Sequence, residues 1–190
     1  MQIEQFVMAY HAEQDRLRAL LPEGFSSIRP VLRINAEIQD GTFSYLELVT
    51  AVQHDGQKGW LNIGCWLDVP FEKEGNATIF HPDFLTIRFE GTGLAGSCPA
   101  EKDNAGCWFL GDTIQLRKPE TITANKEFCD CSFRWQFTPQ DAHGESIGKT
   151  LPAIPTEPKT QYPKVECTPE NAAAIPCDQV LGSYIVRFER

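Results

Sequence analysis

The chain is poor in positive charge. Its 190 residues carry 17 Lys and Arg against 26 Asp and Glu, a formal net charge of −9. Proteins that hold nucleic acid or an anionic membrane surface use an excess of lysine and arginine to release counterions, so no nucleic acid and no membrane is expected as a partner. No window approaches the ~20 apolar residues that a spanning helix needs. The opening residues, "MQIEQFVMAYHAEQDRL", show no basic segment leading into an apolar run, so no secretory signal is read and a cytoplasmic location is expected. Histidine is scarce, 4 in all, and none stands at a zinc-finger spacing from a cysteine; no metal and no cofactor are expected. No internal repeat is apparent. A chain of 190 residues suffices for one sizeable core, and residues 1–190 are read as one domain.

Aromatic and sulfur-bearing residues are plentiful by contrast, with 12 Phe, 4 Trp and 7 Cys. An odd number of cysteines without a compact scaffold, in a chain with no visible signal, reads as reduced thiols. The sequon at Asn76 is then a chance match. Cys98 and Cys107 flank a polar loop, "GSCPAEKDNAGCW", which reads first as a turn. Cys129 and Cys131 are spaced C-x-C, and on a strand they share a face with Phe133, Trp135 and Phe137, a core-packing pattern. The stretch "GESIGKT" has three residues between its glycines where a phosphate loop needs four, and it runs into prolines instead of a helix. His143, between Asp141 and Glu145, reads as a solvated residue of the same turn region.

The hydrophobic pattern is mostly period two. After a short β-prone start, "AEQDRLRALL" places Leu17, Leu20 and Leu21 on one helical face, and Pro22 to Gly24 ends that helix. "VLRINAEI" (31–38), "YLELVTAV" (45–52) and "WLNIGCWL" (60–67) then alternate, and several similar strands follow. The run 150–177, with six prolines, reads as an extended surface connection. These elements give an α+β, mostly β fold with one early helix and a mainly antiparallel sheet that curls or closes.

The polar side of the early strands is where chemistry is expected. Arg33, Asn35 and Glu37 share one face of a strand, Tyr45 and Glu47 share a face of the next, and Asn62 extends the set from the third. Such a row is either a solvated outer face or the lining of a small cavity inside a barrel. Trp60 and Trp66, read on the side of Asn62, favour the cavity, since tryptophans rarely face open water. In a cavity, a glutamate beside an arginine stays ionised and one away from it rises in pKa.

The ordered set "FVMAYHAEQDRLRALLPEGF", "RPVLRINAEI", "YLE" and "KGWLNI", covering roughly residues 5 to 67, resembles the opening of the acetoacetate decarboxylase family. The resemblance implies a cone-like, mainly antiparallel β-barrel with an internal pocket, a homo-oligomer, and a small keto acid or related carboxylate as ligand. In that family a pocket lysine forms a Schiff base with a β-keto acid, and the protonated imine takes up the electrons left as carbon dioxide departs. The resemblance places the family's glutamate on Glu47, for acid–base work, and its arginine on Arg33, orienting a carboxylate. The family's next glutamate falls on Asn35, with Glu37 one same-face step further and Tyr45 and Asn62 in support. The paired-lysine segment of the family is missing. Lys73, between Glu72 and Glu74, is held protonated by its neighbours, which leaves Lys102 as the lysine to consider. Three outcomes stay open: a lyase-type enzyme, a small-molecule-binding barrel that has lost its lysine, and an oligomeric scaffold.

Overall fold

A computed structural model describes residues 1–100, 105–138 and 162–190, the side chains of residues 97 and 98 excepted. Lys102, His143, "GESIGKT" and the Cys98 side chain lie outside the described residues. The chain runs β1 (Gln2–His11), α1 (Gln14–Leu20), β2 (Phe25–Gln39), β3 (Phe43–His54), β4 (Gln57–Leu67), β5 (Phe71–Glu74), β6 (Ala77–Phe80), β7 (Leu85–Pro99), β8 (Cys107–Phe109), β9 (Gln115–Arg117), β10 (Asn125–Trp135), α2 (Pro169–Ala173) and β11 (Gln179–Glu189). The fold is mostly β, as the alternation implies. Among the described residues no helix is long and apolar enough to cross a membrane.

The strands form one sheet in the order β5-β6-β7-β10-β11-β1-β2-β3-β4-β8-β9. Neighbours are antiparallel except for β4 and β8, which run parallel. Strands β5 and β9 are its two edges, so among the described residues main-chain hydrogen bonds do not close the sheet. Two tight hairpins set the register near the polar residues. Asp40 and Gly41 join β2 to β3 with φ of 48° and 72°, and Asp55 and Gly56 join β3 to β4 with φ of 48° and 76°. Two successive positive φ values give the turn whose twist matches that of the flanking strands, and Asp-Gly favours it. This register sets Asn35 opposite Glu47 and Glu37 opposite Tyr45.

The third strand departs from its expected alternation. Leu48 pairs with Gly64 but Val49 pairs with Asn62, so Ile63 is an extra residue in a β-bulge. Trp60 and Asn62 stay on the polar face, and Cys65 comes opposite Glu47. Trp66 comes opposite Leu46 and packs against the apolar core. The expectation that Trp66 joins Asn62 is therefore corrected; one inserted residue inverts every side chain after it. The proline-bearing run is corrected as well. Its described part holds α2, capped by Thr168, whose Oγ1 accepts from the Asn171 N–H at 3.2 Å, with Pro169 at the first helical position. Among the described residues there are thus two helices, not one early helix.

The main core fills the concave side of the curled sheet. Phe6 meets both Phe80 and Phe89 at 5.3 Å between ring centroids, and Leu32, Ile34 and Leu48 join them with Leu17 of α1 and Ala172 of α2. Cys129 is buried there, with Cys131, Phe133 and Trp135 packed against it. The polar residues of β2 and β3 point to the opposite face, where the chain between β7 and β10 crosses back over the sheet. Ala100 and Ile122, each 2% exposed, pack on Val186 and anchor this crossing.

The approach of β8 to β4 depends on Gly59. A Cβ there would lie 2.4 Å from the Gly106 carbonyl oxygen and 2.6 Å from the Trp108 ring, and that same oxygen accepts from the Trp60 N–H at 2.9 Å. A backbone oxygen on one side and a buried tryptophan ring on the other leave little that can yield. Gly59→Ala is expected to lose about 1–3 kcal/mol of stability, measured by urea unfolding; an unchanged midpoint would contradict this close approach.

Candidate functional site

Arg33, Asn35, Tyr45 and Glu47 line a cleft of about 190 Å³ together with Gln5, Val49 and Trp60 of the sheet. The crossing chain supplies the opposite wall, through Cys107, Phe109, Arg117, Lys118, Glu120 and Ile122. The cleft therefore lies between the polar face and the chain that crosses it, on the side of the sheet away from the main core. Aromatic side chains pack the other side of the sheet.

A chain of polar contacts orders the sheet side. The Arg33 Nε–H donates to the Asn35 Oδ1 at 2.8 Å, and an Nη2–H donates to the Tyr184 hydroxyl at 3.2 Å. The guanidinium also lies over the Trp60 ring, 4.9 Å from its centroid. With its oxygen turned to Arg33, Asn35 offers its amide N–H to Glu47, directly across the strand pair. Burial pushes the Glu47 carboxyl above the usual carboxylate range; the Asn35 hydrogen bond and then Arg117 oppose the rise, Glu37 adds to it, and Arg33 opposes it. Arg33 is 7% exposed, and burial lowers its pKa from the ordinary value, opposed by Tyr184.

Glu37 lies behind the cleft wall, fully buried. Arg190 grips it with two hydrogen bonds of 2.8 and 3.0 Å, the Tyr45 hydroxyl donates at 3.1 Å, and the Gln39 amide donates at 2.9 Å. Arg190 also reaches Glu120 at 2.7 and 2.6 Å, tying the crossing chain to the sheet. Burial, then the Glu37 and Glu47 carboxylates, push the Tyr45 phenol far up, so it serves as a donor. Asn62 is buried on the same face but is not on the cleft wall, and among the described residues its Nδ2 finds no hydrogen-bond partner. Lys73 is held away, paired with Glu4.

Sequence reasoning brought Arg33, Asn35, Tyr45 and Glu47 to one place but missed the other wall. Arg117 and Lys118 belong to "LRKPE", a charged run beside a strand too short to show alternation. Lys118, not considered in the sequence, is the lysine on the cleft wall among the described residues. Burial pushes the Cys107 thiol up to about 12, with Glu47 adding to the rise; it stays protonated at neutral pH, which disfavours a cysteine nucleophile. Among the described residues, no group of three or more His, Cys, Asp or Glu side chains is placed to hold a metal ion.

Glu47→Gln is expected to raise the melting temperature at pH 8 and to leave it unchanged at pH 4. A carboxyl whose folded-state pKa is raised contributes stability that is present below its unfolded pKa and lost as pH rises through its folded one. Glutamine cannot ionise and escapes that loss. Thermal unfolding of both proteins at the two pH values checks this; a less stable variant at pH 8 would contradict it.

No family model and no curated protein matches this sequence. Solved structures do match. An acetoacetate decarboxylase from Legionella pneumophila subsp. pneumophila str. Philadelphia 1 superposes with a TM-score of 0.61 at 13% identity, over 98% of this chain and 81% of that one. The enduracididine biosynthesis enzyme MppR, complexed with pyruvate, gives 0.61 at 9% identity over 98% and 84%. An acetoacetate decarboxylase-like enzyme from Sphingomonas wittichii RW1 gives 0.54 at 12% identity over 98% and 88%. At such identities the likeness is one of fold, and it reaches far beyond the residues that carry the resemblance in the sequence: the chain has the acetoacetate decarboxylase-like fold.

Proposed function

We propose that this chain binds a small keto acid in the cleft, its carboxylate against Arg33 and its keto group beside Glu47. The observation that carries this reading is the Arg33–Asn35–Glu47 relay, which sets a buried cation and an acid of raised pKa on one wall of one cleft. A cation placed this way orients a carboxylate, and an acid of raised pKa can give and take a proton near neutral pH. The fold neighbours support the ligand class, one being complexed with pyruvate. The homo-oligomeric state belongs to the same reading. The exposed edge strand β9, with Leu116 at 40% exposure and Ile114 just before it at 46%, supports it.

The lyase-type reading rests on Lys118. Its Nζ would attack the keto carbon, and the oxygen would leave as water to give a protonated imine. In a β-keto acid, the electrons of the breaking carbon–carboxylate bond would pass into that imine as carbon dioxide departs. Glu47 would then protonate the carbon of the resulting enamine. Incubation with pyruvate and acetoacetate, borohydride reduction and peptide mass analysis test both readings. An adduct on Lys118 supports the enzyme. An adduct on Lys102 keeps the chemistry and moves the nucleophile. Calorimetric binding without any adduct supports a binding protein, and neither binding nor adduct overturns the proposal.

A further inference from the structure

The lining of the cleft has more cations than a single carboxylate requires. Arg33, Arg117 and Lys118 face Glu47 and Glu120 across it, in a chain whose net charge is −9. Both oxygens of Glu120 accept hydrogen bonds from Arg190, which leaves Glu47 as the carboxyl that faces the space. The cations stand at two depths. Arg33 is buried on the sheet wall, whereas Arg117 is exposed at the rim, its guanidinium 4.1 Å above the centre of the Phe109 ring. Among the described residues Arg117 makes no ion pair. Both arginines lie near enough to act on the Glu47 carboxyl, the one from the sheet wall and the other from the crossing chain. The same lining holds Val49, Trp60 and Phe109, with Trp60 beneath Arg33 and Phe109 beneath Arg117, apolar surface suited to a short methylene chain. A space of 190 Å³ is roughly the volume of six liquid waters, room for a chain of a few carbons and its oxygens.

We infer that the ligand of this cleft carries two anionic groups: a short-chain keto dicarboxylate, one carboxylate on Arg33 at the buried end and the other on Arg117 at the rim, with its methylenes against Trp60 and Phe109. This inference rests on the keto-acid reading and narrows it. Two charges separated by a short chain match two cations that line one cleft from opposite walls, and a guanidinium resting on an aromatic ring can still grip a carboxylate at two points.

The test compares ligands of equal length by titration calorimetry in buffer of physiological ionic strength. 2-Oxoglutarate and 2-oxopentanoate have the same five-carbon chain and differ in the distal carboxylate; pyruvate and acetoacetate complete the series. 2-Oxoglutarate is expected to bind at least tenfold more tightly than 2-oxopentanoate, and Arg117→Gln is expected to bring that ratio close to one. Equal binding of the two five-carbon acids, with pyruvate or acetoacetate still bound, overturns the dicarboxylate inference and leaves the keto-acid reading standing. A tenfold preference that survives Arg117→Gln overturns the assignment of the rim arginine. Absence of binding by all four acids overturns the keto-acid reading, and this inference with it.

Discussion

Replacing Arg33 with methionine is expected to weaken keto-acid binding at least ~100-fold, a loss of about 2.7 kcal/mol. Two effects combine in this residue. In the proposed complex it supplies the buried charge against which the carboxylate is held, and truncating one side of a buried, hydrogen-bonded charge pair costs about 2–5 kcal/mol. It also orients Asn35 by accepting nothing and donating one short bond of 2.8 Å, so that the amide N–H, and not the carbonyl, faces Glu47. Methionine fills much of the same space against Trp60 but has no donor, leaving Asn35 able to turn and Glu47 without its partner. Lysine is not expected to restore the function, because its single ammonium cannot reach Asn35, Tyr184 and a ligand at once as the planar guanidinium can. Calorimetry gives the affinity, and thermal unfolding shows whether each variant is folded. A folded methionine variant that binds as tightly as the original would remove Arg33 from the site.

The largest stability effect is expected at Arg190. Its guanidinium neutralises Glu37, which is 0% exposed, and on its other side it meets Glu120 at 2.6 Å. Arg190→Gln leaves a carboxylate buried with only Tyr45 and Gln39 as donors. Removing one partner of a buried pair is strongly destabilising, about 3–5 kcal/mol. Arg190 is itself 33% exposed, and solvent screening places the expected loss near the lower figure, about 3 kcal/mol. In a chain of this length that lowers the melting temperature by roughly 6–12 °C. The double variant Glu37→Gln/Arg190→Gln tests the cause. Without the buried charge, much of the loss is expected to return, and a double variant no more stable than Arg190→Gln would mean that the damage comes from the freed crossing chain instead.

Where the sequence was legible, local periodicity and local turns did the work. Arg33, Asn35 and Glu37 alternate with Leu32, Ile34 and Ala36 in one uninterrupted strand, and Asp-Gly pairs at 40–41 and 55–56 lock the neighbouring strands into register. The relay from Arg33 to Glu47 follows from those two facts. The bulge at Ile63 was not legible because an extra residue leaves no mark in a pattern of apolar and polar letters; it inverted Trp66 and Cys65. The helix α2 did leave a mark, Thr168 followed by Pro169 and Glu170, an N-cap with proline in the first turn, but the surrounding prolines obscured it. The far wall of the cleft was hidden for another reason. Arg190 meets Glu37 across 153 positions, and Arg117 and Lys118 reach Arg33 only through a crossing whose strands are three residues long. Nothing local encodes such meetings. The choice of face was also beyond reach: alternation assigns polar and apolar sides to a strand, and only the packing of Phe6 against Phe80 and Phe89 decides which of them the curl encloses.

The central claim is that a keto acid sits on the polar face, between the sheet and the crossing chain. A crystal structure of the protein soaked with pyruvate tests it most directly. The expected result is density for the ligand with its carboxylate within hydrogen-bond distance of the Arg33 guanidinium and its keto carbon beside Glu47. Ligand density away from this cleft, with Arg33 and Glu47 untouched, would contradict the account.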